Sequence, residues 1–513
     1  MPEAVTKHSR LLRLLAVVLV VCWTGSAVAA GIESIDVIVV IYAENRSFDN
    51  LYGLFPGANG LRSLKPADYM QRDRDGSVLK ELPPMWGGLT ARGVVPAVTQ
   101  ADTAHLPNRP FAIDDPNGFN LPASVVTNDP RHRFYQNQMQ INGGRNDRFV
   151  AYSDVGALVM GHYDGSKLPL WGVARRYTLA DNFFMAAFGG SFLNHFWLVC
   201  ACTPYYPNAD RSPAKGRISA VEAEGVTLKI AAGSPKSALD GTPIFIQDGA
   251  LTPDFFAVNT MQPPYQPSAN GPAAGGDRAH ADPDAATTLP PQTQLTIGDL
   301  LSAKGIGWAW YSGAWQATLD GIEVKPAPHF QYHHQPFNYF AAMAPGTGAR
   351  AKHLRDAGLD GREFIEAIDS GTLPQVTFYK PQGSLNKHAG YADTLTGDQH
   401  IADVIAHLEK SPQWLRMLVI VTYDENGGFW DHVAPPKGDR WGPGTRVPAL
   451  IVSPLAKKGF VDHTLYDTTS ILRFITKRFA LSMLPGLQTR DAALVANGGA
   501  PLGDLTAALD LSQ

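Results

Sequence analysis

The residues best suited to chemistry sit in two short strings: Ile-Tyr-Ala-Glu44-Asn45 and Val-Thr-Tyr-Asp424-Glu425-Asn426-Gly-Gly. Each follows a β-branched apolar run, Ile35 to Ile41 in the first case and Met417 to Thr422 in the second. Such runs read as strands buried on both faces, as in a parallel sheet. In open α/β sheets ligands bind beyond the carboxyl ends of the strands, so both strings point to one place although they lie about 380 residues apart. Three carboxylates and an amide gathered there repel one another unless a cation holds them. Oxygen donors of this kind suit one divalent ion, with calcium, magnesium, manganese, iron and zinc all open. The competing reading is a set of loop carboxylates facing water.

A hydroxyl completing such a shell is acidified and becomes nucleophilic at ordinary pH. Ser191, in Gly-Gly-Ser191-Phe-Leu-Asn194-His195, is the candidate. Its glycines permit a tight turn and the apolar run after it suits a buried helix. The serine then stands at a helix N-terminus, where free N–H groups favour phosphate; a plain N-cap is the alternative. Three histidine groups lie in loops near expected strand ends: His132, the pair His333-His334, and His388. Phosphoryl transfer needs donors around the phosphoryl oxygens and an acid for the leaving group, which imidazoles supply. His105, His162, His280, His353 and His463 have no such context. Trp308, Trp310 and Trp315 read as core packing before a substrate wall.

Other chemistries find no motif. Ser191 is not in Gly-x-Ser-x-Gly, because position 193 is leucine. Cys202-Thr-Pro204 begins a Cys-x-Pro-x-Arg pattern, but position 206 is tyrosine. There is no P-loop and no dinucleotide fingerprint.

The elements that must position these groups alternate between strand and helix. Strands are expected at Trp308 to Tyr311, Gln375 to Tyr379, Met417 to Thr422 and Val447 to Val452. Helices are expected from about Asn146 through Tyr152, at Pro169 to Tyr177, Leu295 to Lys304, Asp398 to Glu409 and Thr468 to Phe479. The pattern predicts an α/β class, a sandwich with a mostly parallel central sheet. Two long insertions interrupt it: about 51–135, rich in Pro, Gly, Asn and Asp, and about 204–292. The second contains short candidate strands at Gly225 to Ile230 and Pro243 to Gln247, and its 262–292 stretch reads as a linker or mobile loop.

The chain has 513 residues, is 44% hydrophobic and carries a formal net charge of −4; its length allows one elaborate α/β domain or two to three smaller ones. No basic block suits nucleic acid. Lys7, Arg10 and Arg13 precede an apolar run from Leu14 to Trp23 and the small residues Ala27-Val28-Ala29-Ala30. This is a signal-peptide pattern over 1–30, which places the mature chain in the periplasm or outside the cell. No later stretch qualifies as a membrane span. Cys200 and Cys202, one residue apart, are compatible with a bridge or with two free thiols.

Taken together, Ile-Tyr-Ala-Glu44-Asn45-Arg46-Ser47-Phe48-Asp49, Gly-Gly-Ser191-Phe-Leu-Asn194-His195 and Tyr423-Asp424-Glu425-Asn426-Gly-Gly-Phe429-Trp430-Asp431-His432-Val433 resemble the bacterial phosphoesterase family. That family joins acid phosphatases with phospholipases C of the phosphatidylcholine-cleaving type. Asn142-Gly-Gly144 and Gly442-Pro-Gly-Thr-Arg446-Val-Pro448 add to the likeness, which covers residues 31–513 and is poorest across 205–290. The resemblance implies an alkaline-phosphatase-like three-layer α/β/α fold. It also implies that Glu44, Asn45, Ser191, Asp424 and Glu425 hold the metal, with Ser191 as nucleophile. His132, His334 and His388 match phosphate-contacting positions, with His333 able to replace His334. Gly-Gly-Ser191, where phospholipase members tend to carry threonine, leans toward an acid phosphatase acting on small phosphomonoesters. Phospholipid headgroups are the alternative substrate.

Overall fold

In the computed structural model, which describes residues 31–322 and 330–512, the first apolar run forms β1 (Val37–Ala43), buried along its whole length. The strands that follow are β2 (Thr178–Ala180), β3 (Trp308–Gly313), β4 (Leu354–Gly358), β5 (Val376–Lys380), β6 (Met417–Tyr423), β7 (Ala449–Val452) and β8 (Phe460–Asp462). They make an eight-stranded sheet in the order β8-β2-β7-β6-β1-β5-β3-β4. β1 sits between β6 and β5 and runs parallel to both.

The main helices are α1 (Phe134–Ile141), α2 (Pro169–Arg176), α3 (Ser191–Cys200), α4 (Ile297–Ala303), α5 (Arg362–Asp369), α6 (Thr394–Leu408), α7 (Thr469–Arg478) and α8 (Pro485–Ala496). Side-chain alternation along the strands assigns them to two layers. Tyr42 reaches Asn194 of α3 with its hydroxyl. Tyr423, in register with Ala43 and so on the opposite face, bonds through Lys387 to Asp398 of α6. On that same face Tyr379 stacks on Phe364 of α5 and donates to His400 of α6. Helices α3, α4 and α7 pack together on one side, and α2, α5 and α6 on the other. The result is a three-layer α/β/α sandwich whose core joins both helical layers to the sheet.

Several local expectations differ. β7 runs antiparallel to both β6 and β2. The connection from β6 to β7 holds no helix, so the chain turns at the carboxyl edge and re-enters from that end, which only an antiparallel strand allows. The helix expected about Asn146–Tyr152 is a series of turns; the helix lies upstream as α1, which begins at the end of the 51–135 stretch expected to be loop. β2, β4, α5 and α8 were not anticipated, because they are short or carry weak patterns. The two candidate strands near 225–230 and 243–247 are isolated bridges, among them Ile230 to Phe245. Residues 262–292 are irregular but tied in: Arg350 donates to the carbonyl of Gln266 and to Asn338 Oδ1. Leu79, Leu82, Met85 and Leu89, from the first insertion, share the main core. Cys200 and Cys202 form a disulfide at the end of α3. The tryptophans are core: Trp308 stacks on His353, and Trp310 Nε1 donates to the His334 carbonyl. The expected signal segment, 1–30, lies outside the described residues.

Candidate active site

The register Ala43 to Tyr423 puts Glu44 beside Asp424 at the carboxyl edge. Asn45 takes a left-handed backbone, φ 61°, a conformation asparagine tolerates better than most residues. Its N–H donates to Asp424 Oδ1 at 3.2 Å, and the Arg46 N–H donates to the Glu425 carbonyl at 3.0 Å. Gly427, at φ 60°, lets the turn after Glu425 close against this segment; a Cβ there would lie 2.3 Å from the Asn45 carbonyl oxygen. Glu44, Asn45, Asp424 and Glu425 are all fully buried.

Ser191 is the first residue of α3, after Gly190 in extended conformation. Its Oγ lies 3.3 Å from both Asn45 Oδ1 and Glu425 Oε1. Both ends of the turn before it are fixed by Asn194, which accepts from the Ala187 N–H at 2.9 Å and donates to the carbonyls of Ala187 at 3.1 Å and Gly190 at 3.2 Å. Ser191 opens on a cleft of about 440 Å³ also lined by Asp129, Arg131, His132, Asn259, His333 and His388. A larger hollow of about 870 Å³, around Arg109, Phe111 and His162, lies in the first insertion away from these groups.

The histidines divide by what they face. His132 Nε2 is 3.4 Å from Glu425 Oε1 and 3.1 Å from Asn45 Nδ2. Burial works against its protonation, but the carboxylates of Glu425 and Asp129 raise it to about 9. His388 Nε2 is 3.8 Å from Glu44 Oε2, and its ring stacks on Tyr391. His333 lines the cleft, whereas His334 turns its Nε2 onto Glu44 Oε1, with the ligand set rather than with open space. Burial together with Lys380 brings His334 down to about 4, against the opposing pull of the Glu44 carboxylate.

Two groups escaped the sequence reading. Lys380, the last residue of β5, places Nζ 2.9 Å from Glu44 Oε1 and 3.5 Å from Asp424 Oδ2. His195 of α3 donates from Nδ1 to the Ser191 carbonyl, 2.8 Å away, and stacks on His334. Burial and Lys380 push its imidazole well below the usual range. His195 was visible in the serine motif one helical turn after Ser191; Lys380 left no signal.

The donor set fits a divalent cation. Glu44 Oε1 is buried without a hydrogen bond of regular geometry. Burial and the like charge of Asp424 push Glu425 up to about 8, a strain that a cation between them relieves. A second group with metal-ligand chemistry, Asp49, Asp431 and His432, has ligand atoms within 4.8 Å of one another. Arg446 already bonds both of its carboxylates, Asp431 Oδ1 at 3.0 Å and Asp49 Oδ1 at 3.1 Å, so it reads as a buried ion-pair network. No helix among the described residues is long and apolar enough to cross a membrane.

Comparison with known proteins gives one family: the profile of the Phosphoesterase family matches residues 35–482. Phospholipase C B of Mycobacterium tuberculosis is 23% identical over 94% of this chain and 78% of its own length. The non-hemolytic phospholipase C of Pseudomonas aeruginosa is 27% identical over 43% of this chain, a match spanning 34% of the relative's length. Among solved structures, a protein of the alkaline phosphatase superfamily from Vibrio parahaemolyticus matches over 72% of each chain, at 10% identity and a TM-score of 0.30.

Proposed function

Because the chain belongs to the phosphoesterase family, we propose that it is a metal-dependent phosphoric ester hydrolase that cleaves phosphomonoesters through a phosphoserine on Ser191. One observation carries this reading: Ser191 Oγ stands at the start of a buried helix, 3.3 Å from Asn45 Oδ1 and Glu425 Oε1, and opens on a cleft rimmed by histidines.

The N–H groups at the start of α3 and the imidazoles of His333 and His388 surround the position of the phosphoryl oxygens. Ser191 Oγ gives its proton to Glu425 Oε1, the basic member of the two acceptors that hold it, and forms a bond to phosphorus as the ester oxygen leaves. His132, held protonated beside Glu425, supplies the proton that the leaving oxygen needs. A water molecule then attacks phosphorus, giving a proton to the now neutral His132; the bond to Ser191 Oγ breaks, Oγ takes back its proton from Glu425, and inorganic phosphate departs. Glu44, Asn45, Asp424 and Glu425, with Ser191, would hold the divalent cation, which supplies Lewis-acid stabilisation of charge on the hydroxyl and the phosphoryl group.

The test is Ser191→Ala alongside the unaltered chain, assayed with a chromogenic phosphomonoester from acid to alkaline pH. Turnover should fall at least about 1,000-fold, with no phosphorylated protein by mass spectrometry. Near-normal turnover by a folded variant would rule out the covalent route.

A second reading, phospholipase C activity on phosphatidylcholine or sphingomyelin, draws on the relatives, which carry that name. Headgroup release from vesicles with little monoester turnover would favour it over the phosphatase. Export is part of the proposal, on the pattern of Lys7 to Ala30; the N-terminal sequence of protein recovered from the periplasm or medium tests it.

A further inference from the structure

Lys380 takes no part in the mechanism above, yet it is fully buried in the middle of the candidate ligand set. An ammonium in such a place is costly unless it is paired. Its Nζ is 2.9 Å from Glu44 Oε1, 3.5 Å from Asp424 Oδ2 and 5.2 Å from the centre of the Tyr42 ring. The placement follows from register: Ile41 pairs with Tyr379, so Lys380 comes level with Tyr42 and leans over the end of β1. The other groups within ion-pair distance of the three carboxylates are His132, His195, His334 and His388. Among the described residues, Lys380 is the one lysine or arginine paired with Glu44, Asp424 or Glu425.

Lys380 Nζ bridges the two strand ends, lying within ion-pair distance of both Glu44 Oε1 and Asp424 Oδ2, so the ammonium occupies the space beside these oxygens that a second cation would need. We propose that Lys380 is the resident counter-ion of this site: it holds Glu44 and Asp424 together before a cation arrives, and it confines the site to one divalent cation. The inference rests on the reading that these carboxylates hold a cation. It predicts that Lys380 competes with the metal for the same oxygens, so that removing its charge strengthens cation binding while weakening the cation-free protein. A lysine needed only for packing would weaken both.

The experiment strips the full chain of metal with a chelator and titrates it with Mn²⁺, reading stoichiometry by elemental analysis after dialysis and affinity by calorimetry. The unaltered chain should bind one ion. Lys380→Met, which keeps the apolar stem, should bind the first ion at least tenfold more tightly or take up a second, and melt lower than the unaltered chain when stripped. Two ions in the unaltered chain, or unchanged or weaker affinity in Lys380→Met, would overturn the inference. No ion bound at all would overturn the cation reading itself, and this inference with it. Should Lys380→Met fail to fold without metal, Lys380→Met combined with Asp424→Asn restores the charge balance. Recovery of folded, cation-free protein supports the counter-ion role, and failure to recover counts against it.

Discussion

His132 and His388 meet the cleft with the same nitrogen. In each, Nδ1 lies 2.6 Å from a backbone carbonyl, that of Pro130 or of Ala389, so Nδ1 carries a proton and Nε2 turns inward. Their rings meet edge to face at 5.6 Å, and Asp129 Oδ1 stands about equally far from both Nδ1 atoms, at 4.0 and 3.9 Å. This fixes the direction in which each ring can give a proton, a constraint that counts in proton transfer. If His132 protonates the leaving oxygen, its loss matters most where that oxygen is basic. His132→Gln should lower kcat by about 100-fold for esters of aliphatic alcohols and much less for p-nitrophenyl phosphate, whose leaving group needs no acid. Equal losses for both esters, in a steady-state comparison, would assign His132 to phosphate or cation binding instead.

At the scale of elements, the position of Ser191, the proposed nucleophile, depends on how α3 is anchored. Gly189 has φ 90°, and a Cβ there would lie 2.5 Å from the Phe134 N–H nitrogen at the start of α1. The turn before Ser191 therefore slides directly under the segment that carries His132. Gly189→Ala should cost roughly 1–3 kcal/mol in urea unfolding through backbone strain alone, and should reduce turnover through a displaced Ser191. A variant with unchanged stability and turnover would show that this contact does not set the nucleophile. The other end of α3 is closed by the Cys200–Cys202 disulfide. A comparable anchor lies under the Asp424 turn: the buried Arg446 guanidinium donates to the carbonyls of Asn59 and Asp181, each at 2.8 Å, besides its two carboxylates. One side chain thus joins the first insertion, the β2 edge and the loop after β6.

For the molecule as a whole, acid stability is written into His400. It lies on α6 and accepts from the Tyr379 hydroxyl at 2.7 Å, and burial pushes its imidazole down to about 4. In the unfolded chain a histidine titrates near 6.5. Between those values the unfolded chain binds a proton that the folded chain refuses, so stability is complete above about pH 6.5 and declines as pH falls toward 4. The contribution is at most about 3 kcal/mol. His400→Gln should flatten that decline, read as a smaller difference between urea midpoints at pH 7 and pH 4.5. An identical difference in both proteins would place the acid sensitivity elsewhere.

The residues alone located the strands of the site. A strand covered on both faces must be apolar throughout, so the runs Ile35 to Ile41 and Met417 to Thr422 mark the strands Val37–Ala43 and Met417–Tyr423 to within two residues, and the oxygen donors after each mark the carboxyl edge. Ser191 at the start of a buried helix was equally legible, because Gly-Gly followed by an apolar run has few other uses. The tertiary structure decided what depends on register and reversal. Lys380 reads as an ordinary strand-end lysine until β5 is placed beside β1, where alignment with Tyr42 turns it onto Glu44. His334 rather than His333 faces the carboxylates because Trp310 holds its carbonyl, a contact between segments that adjacent histidines cannot signal. The antiparallel course of β7 follows from a helix-free connection, and α1 hid behind polar residues whose partners lie in other segments, Gln136 donating to the Tyr152 carbonyl and Asn137 to Thr445 Oγ1. Local patterns report how a segment is covered; they carry no information about which segment covers it.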